Sequence, residues 1–176
     1  MSETGLLRYL FNCGLLTLPI LVWNVVFTRF LPSALGSKEF WRNIPPFVAY
    51  GENILRTAIL VLPFLMPLDV STITQRRGLF LFIVGTVIYF LAWVALMIFP
   101  QSRWSTSRTG FLAPAYTPLI WLTGLGFIGR RLYWPWPYRW WVYIALAIGF
   151  GAFHVTHAGI VYARNYLRIP AGRVTD

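Results

Sequence analysis

From Leu79 to Phe99 the chain carries no charged side chain, and this run limits the possible folds more than any other part of the sequence. A helix rises ~1.5 Å per residue, so about 20 apolar residues cross the ~30 Å hydrocarbon core of a bilayer. Four other stretches approach that length and character: Leu6 to Phe27, Pro46 to Met66, Phe111 to Ile128 and Trp140 to Ala163. The expected fold is an all-α integral membrane protein, a bundle of about five transmembrane helices with short loops. The connections hold turn and charge signals at Pro32 and Gly36, Arg76 to Gly78, Arg103 to Gly110, and Arg130 to Arg139. They leave no room for a second domain, so residues 1–176 read as one transmembrane helical domain.

Composition points the same way. The chain is 57% hydrophobic and only 11% charged, against about a quarter charged in an ordinary soluble domain. In water it would expose large apolar patches. A net charge of +10 would suggest nucleic acid on a soluble protein, but here the basic residues fall between the apolar runs, at headgroup level. Membrane lipids are the expected partners and nucleic acid is not. The aromatic run Tyr133 to Trp141, interleaved with Pro135, Pro137 and Arg139, reads as an interfacial belt anchoring the fifth helix rather than as a base-stacking surface. Cys13 is the single cysteine, so no internal disulfide can form. The apolar region before Ala34-Leu35-Gly36 is longer than the ~7–15-residue core of a signal peptide, so it reads as a span rather than a cleaved leader.

With five spans, six basic residues (Arg8, Arg76, Arg77, Arg130, Arg131, Arg139) lie on the face of the N-terminus. Eight lie opposite: Arg29, Lys38, Arg42, Arg103, Arg108, Arg164, Arg168 and Arg173. The positive-inside rule then places the C-terminus in the cytoplasm of a multi-pass protein.

Glu52 and Arg56 are the acid and base set well inside an apolar segment. A charge at mid-helix costs ~2.5–3.5 kcal/mol on insertion scales, so such groups face the protein interior or a wet cavity. Their i, i+4 spacing, acid first, suits an ion pair. Tyr50 and Asn53 lie within about a turn of them. The fifth stretch holds both histidines, His154 and His157, which share one side of a helix. Such a pair can supply two metal ligands, and with Glu52 would approach the three protein ligands of a catalytic zinc. Hydrogen bonding to neighbouring helices is the simpler role.

Alternating helix direction brings these groups to one depth. Asn24 falls late in the first helix, Glu52, Asn53 and Arg56 early in the second, and Tyr89 and Trp93 mid-to-late in the third. Tyr116 and Thr117 fall early in the fourth, and His154 and His157 late in the fifth. Cys13 falls in the other half, away from both histidines, which argues against a Cys-His nucleophile. The expectation is an off-centre, aromatic-lined pocket with a few convergent polar groups, the usual form of a small-ligand site. Glu52, Arg56, His154 and His157 would supply its polar contacts, with Tyr50, Asn53, Tyr89, Trp93 and Tyr116 as walls, and Arg56 free to hold an anion if Glu52 pairs with His157.

Three functions remain open on the sequence: a binding protein for a lipophilic or amphiphilic molecule (transport, sensing or storage), a membrane-embedded enzyme acting on a lipid, isoprenoid or quinone, and a structural subunit of a membrane assembly. In the enzyme, His154 or His157 would be the acid or base and Glu52 would orient it or ligate a metal. The sequence names no cofactor. Small-residue pairs such as Ala145/Gly149 and Ala147/Gly151 suit helix contacts within the chain more than between copies, though homo- or hetero-oligomers remain compatible with them. Phosphate-binding glycine loops, His-Glu-x-x-His and paired carboxylates do not occur.

Overall fold

The computed structural model describes residues 9–167, which form helices and no strand; Asn12 and Pro67 make an isolated antiparallel bridge. Among the described residues eight α-helices follow in order, with short 3-10 and π segments between or after them: α1 Gly14–Phe27, α2 Ser37–Phe40, α3 Pro46–Val61, α4 Ile73–Ile98, α5 Arg103–Thr106, α6 Arg108–Tyr116, α7 Pro118–Ile128 and α8 Trp140–Tyr162. Four stretches are long and apolar enough to cross a membrane: Pro46–Leu65, Ile73–Ile98, Arg108–Ile128 and Trp140–Leu167. The first helix with its 3-10 extension, Gly14–Phe30, is apolar but shorter. Its start is fixed by a sharp turn, where the Cys13 amide donates to the Met66 carbonyl (2.9 Å). The stretch expected from Leu6 therefore begins at Gly14, and residues 1–8 lie outside the described part.

The long helix α4 begins at Ile73, six residues before the expected Leu79. Thr72 and Gln75 form a reciprocal capping box, which satisfies two of the amides that every helix start leaves open. Arg76 and Arg77 thus belong to the first turns, and Arg76 Nε reaches back to the Val70 carbonyl (3.2 Å). The Gln75 amide also donates to the carbonyl of Ile128 (3.3 Å), joining the start of α4 to the end of α7.

The stretch from residue 108 to 128 is divided at Thr117 because Pro118 has no amide hydrogen to give the preceding turn. Thr117 donates its hydroxyl to the Ala113 carbonyl (2.7 Å) at this break. Pro19 lies inside α1 without dividing it, and it leaves the carbonyl of Leu15 without its helical donor. The neighbouring Thr17 hydroxyl does not meet that carbonyl; it donates to Gly14 (2.7 Å).

Packing is closest between α4 and α7. A β-carbon added at Gly124 would lie 2.4 Å from the Phe82 amide nitrogen and 2.6 Å from the Gly78 carbonyl oxygen. One at Gly85 would lie 2.5 Å from the Trp121 nitrogen. Backbone meets backbone here, which only glycine permits. Elsewhere glycines admit side chains of the same chain: Phe153 fills the space at Gly51, and Leu119 that at Gly151. The helix α8 lies against α3, α6 and α7. In contrast, α1 meets α4 through rings, with Trp23 stacked on Phe90 at 4.2 Å.

Large apolar side chains also cover the outside, among them Phe80, Ile83, Val87 and Leu91 on α4 and Val22 and Val25 on α1. Trp134, Trp136 and Trp141 of the aromatic run are exposed. These apolar helices fit a multi-pass membrane protein, and a helix apolar on every side is what lipid as solvent calls for.

Candidate functional site

The site starts from helical spacing. Glu52 and Arg56 are one turn apart on α3, and His154 and His157 are one turn apart on α8. The close packing of α3 on α8 brings both pairs together. Arg56 forms an ion pair with Glu52 Oε1. The same oxygen lies 2.9 Å from His154 Nδ1, and Oε2 lies 2.5 Å from His157 Nδ1. Glu52 and His157 are completely buried. A carboxylate placed so deeply is tolerable only with its lone pairs met, and here three donor groups surround it.

A third partner comes from outside the long helices. The Phe40 carbonyl, at the end of α2, lies 2.9 Å from His157 Nε2. The Phe40 ring stacks on that imidazole at 4.0 Å, and Trp41 meets it edge-on at 4.6 Å. Arg164, just beyond α8, donates to the backbone carbonyls of Glu39 and Arg42. The strap of residues 31–45 is therefore held at its centre by α8. Arg56 lies over the rings of Trp41 and Phe150, 5.7 and 5.9 Å from their centroids. Such contacts favour a cation where water is scarce.

Beside this cluster is a cavity of about 380 Å³. Every long helix contributes to its wall, and apolar residues make up most of it: Ile20, Ile59, Phe111, Trp121, Phe150 and Ala158 among others. Its polar groups include Arg56, His154, Asn24, Tyr89, Thr17 and Thr28. The Tyr89 hydroxyl donates to Asn24 Oδ1 (2.6 Å), which ties α4 to α1 and leaves the Asn24 amide hydrogens unengaged among the described residues.

Of the residues expected from sequence, Arg56, His154, Tyr89 and Trp93 line this cavity, and Glu52 and His157 stand behind it as the buried part of the cluster. Tyr50, Asn53 and Tyr116 do not belong to it. Tyr50 precedes Glu52 by two positions, about 200° around a helix, and is 70% exposed. Asn53 is about 100° away and also faces outward. Tyr116 turns back to donate to the Thr109 carbonyl (3.2 Å). Cys13 is buried at the other end of the molecule, where its thiol meets the Pro67 carbonyl at 3.6 Å.

The cluster was partly invisible in the sequence. Phe40 enters through its carbonyl oxygen, a group every residue carries, and Arg164 acts on carbonyls as well. Phe150 had a residue-type signal, four positions before His154, and its ring stacks on that imidazole at 5.1 Å.

Chemically, the cluster is closed on itself. Both carboxylate oxygens and three of the four imidazole nitrogens have partners, and only His154 Nε2 has none among the described residues. No group of three His, Cys, Asp or Glu among the described residues is arranged to hold a metal ion. The donors that would surround one are hydrogen-bonded to each other instead. With its two nitrogens engaged, His157 has no lone pair or proton to offer a molecule in the cavity. No protein-family model, curated protein or solved structure matches the chain.

Proposed function

We propose that this chain is a multi-pass membrane protein, with α1 as a fifth crossing, that binds a lipophilic or amphiphilic small molecule in the cavity between its helices. The observation that carries this reading is the cavity's form: about 380 Å³, mostly apolar, with a few polar groups on its wall. Ligand sites between helices commonly have this character and volumes of about 300–1,000 Å³. The buried Glu52 cluster serves as the fixed polar end, holding Arg56 and His154 in place. Transport, sensing and storage all begin with such binding. The excess of basic residues on the face opposite the N-terminus favours a cytoplasmic C-terminus.

An enzyme acting on a lipid would have to use His154, since His157 is engaged at both nitrogens. The binding reading needs no such step. Its test is native mass spectrometry of the protein released from mild detergent, joined to quenching of its tryptophan fluorescence by a brominated lipophile. A co-purifying lipophile and saturable quenching are expected, because Trp93 and Trp121 stand on the cavity wall. Quenching that rises linearly with no saturation, and a bare mass, would refute the reading.

A further inference from the structure

The hydrogen-bond pattern of the cluster fixes its charge. The Phe40 carbonyl oxygen can only accept, so His157 Nε2 carries a hydrogen. His157 Nδ1 faces Glu52 Oε2 at 2.5 Å, and that contact needs a proton of its own. Whether the proton rests on nitrogen or on oxygen, Glu52 and His157 together are neutral. His154 Nδ1 faces Glu52 Oε1, an accepting oxygen in either case, so this nitrogen holds the hydrogen, and the ring is neutral or, with Nε2 also protonated, positive. Arg56 is always protonated. The four groups therefore sum to at least one positive charge.

No other acid among the described residues balances it. Glu39 is paired with Arg42 at the surface (3.2 Å), and Asp69 belongs to the turn before α4, at the far end of the molecule. A cation without a counter-charge is costly in an apolar setting. Arg56 nevertheless stands on the cavity wall with a third of its side chain open. One of its nitrogens is bonded to Glu52, and the planar guanidinium has further hydrogens to donate. The unengaged amide hydrogens of Asn24 are also on the wall. What the cavity presents is a positive charge and an excess of donors.

We infer that the occupant is a single-chain amphiphilic acid, whose oxyanion head pairs with Arg56 and whose apolar body lies along Ile20, Phe111 and Trp121. This rests on the binding reading above and adds the sign of the ligand's charge. The oxyanion matches the geometry of a guanidinium, which meets carboxylate and phosphate through paired hydrogen bonds. The volume, toward the lower end of the usual range, suits one hydrocarbon chain rather than the two of a bilayer lipid.

The test uses the whole chain in nanodiscs of zwitterionic lipid at alkaline pH, with four amphiphiles of equal chain length: dodecanoate, dodecyl phosphate, dodecanol and dodecyltrimethylammonium. Displacement of the brominated lipophile is read from tryptophan fluorescence, with lipid-only discs as the blank. At least one of the two acids is expected to displace it at a concentration about tenfold or more below that of the alcohol, and the stronger acid identifies the head. Arg56→Gln is expected to remove this preference, whereas Arg56→Lys keeps part of it. Equal action of all four, or strongest action of the ammonium, overturns the anionic assignment while leaving the cavity as a lipophile site. Failure of all four to displace the probe, with no saturable probe binding, overturns the binding reading itself. The comparison of head groups on the unaltered chain decides the matter even if Arg56→Gln does not fold.

Discussion

His157 and Phe40 meet twice, through a hydrogen bond of 2.9 Å from Nε2 to the carbonyl oxygen and through rings stacked 4.0 Å apart. The residue that neutralises Glu52 is thereby also the one that holds down the strap. The polar cluster and the strap, which lends Leu31, Leu35, Phe40 and Trp41 to the cavity wall, form a single unit.

Removal of one member should expose that unity. Glu52→Gln and His157→Gln each leave a buried polar group without its partner and are expected to destabilise by about 3 kcal/mol. Made together, they should cost less than the sum, with a coupling of about 1–3 kcal/mol. Equilibrium unfolding in mixed micelles measures this cycle. Strict additivity would mean that the two side chains do not act together.

Arg164 holds the strap from the other side, by its bonds to the carbonyls of Glu39 and Arg42. Arg164→Ala should speed hydrogen exchange in residues 38–44 by about tenfold, while the middle of α4 is unchanged. Mass spectrometry of peptides from the exchanged protein gives both values in one experiment. Equal acceleration throughout would point to global loosening instead.

Glycine positions offer a contrast in one residue type. At Gly124 a β-carbon would press on the backbone of α4, so Gly124→Ala should cost about 1–3 kcal/mol. At Gly159 the nearest atom would be 3.9 Å away, on Leu112. Gly159→Ala should be neutral or add up to about 1 kcal/mol through helix propensity. The order of the two in thermal unfolding is the test.

Filling the cavity separates binding from folding. Leu21 is only partly buried on its wall. Leu21→Trp is expected to abolish saturable quenching by a brominated lipophile with little change in unfolding temperature. Retained binding at full affinity would place the ligand elsewhere.

Asp69 provides a pH signature outside the apolar helices. The Ser71 amide donates to its carboxylate (2.9 Å) and holds it below the usual carboxylate range. A group whose value is lowered by folding stabilises at pH above its unfolded value, about 3.9 for aspartate, and loses that contribution as pH falls below it. The stability gap between the native chain and Asp69→Asn should therefore close on acidification through this region. A gap constant down to strongly acid pH would mean that the turn does not depend on the charge.

The parts of this structure that were legible in advance are those with an energetic cost attached to residue type. Glu52, Arg56 and the histidines stand out because apolar surroundings penalise them unless they meet. The helices followed from apolar length, but the start of α4 did not, since Arg76 and Arg77 resemble a loop until the Thr72–Gln75 capping box is recognised. Tyr50 and Asn53 were drawn in by nearness along the chain, where angle around the helix decides. The strap could not be foreseen at all: its ties are carbonyl oxygens of Phe40, Glu39 and Arg42, and no side-chain alphabet records them.

With backbone against backbone at Gly78, Gly85 and Gly124, α4 and α7 shift as one body or not at all. Any swelling or shrinking of the cavity falls on α1 and the strap, whose attachments are ring contacts and a few single bonds: Cys13–Met66, Tyr89–Asn24, His157–Phe40 and the grip of Arg164. The molecule has a stiff half and a compliant half, and the hollow lies along the border between them.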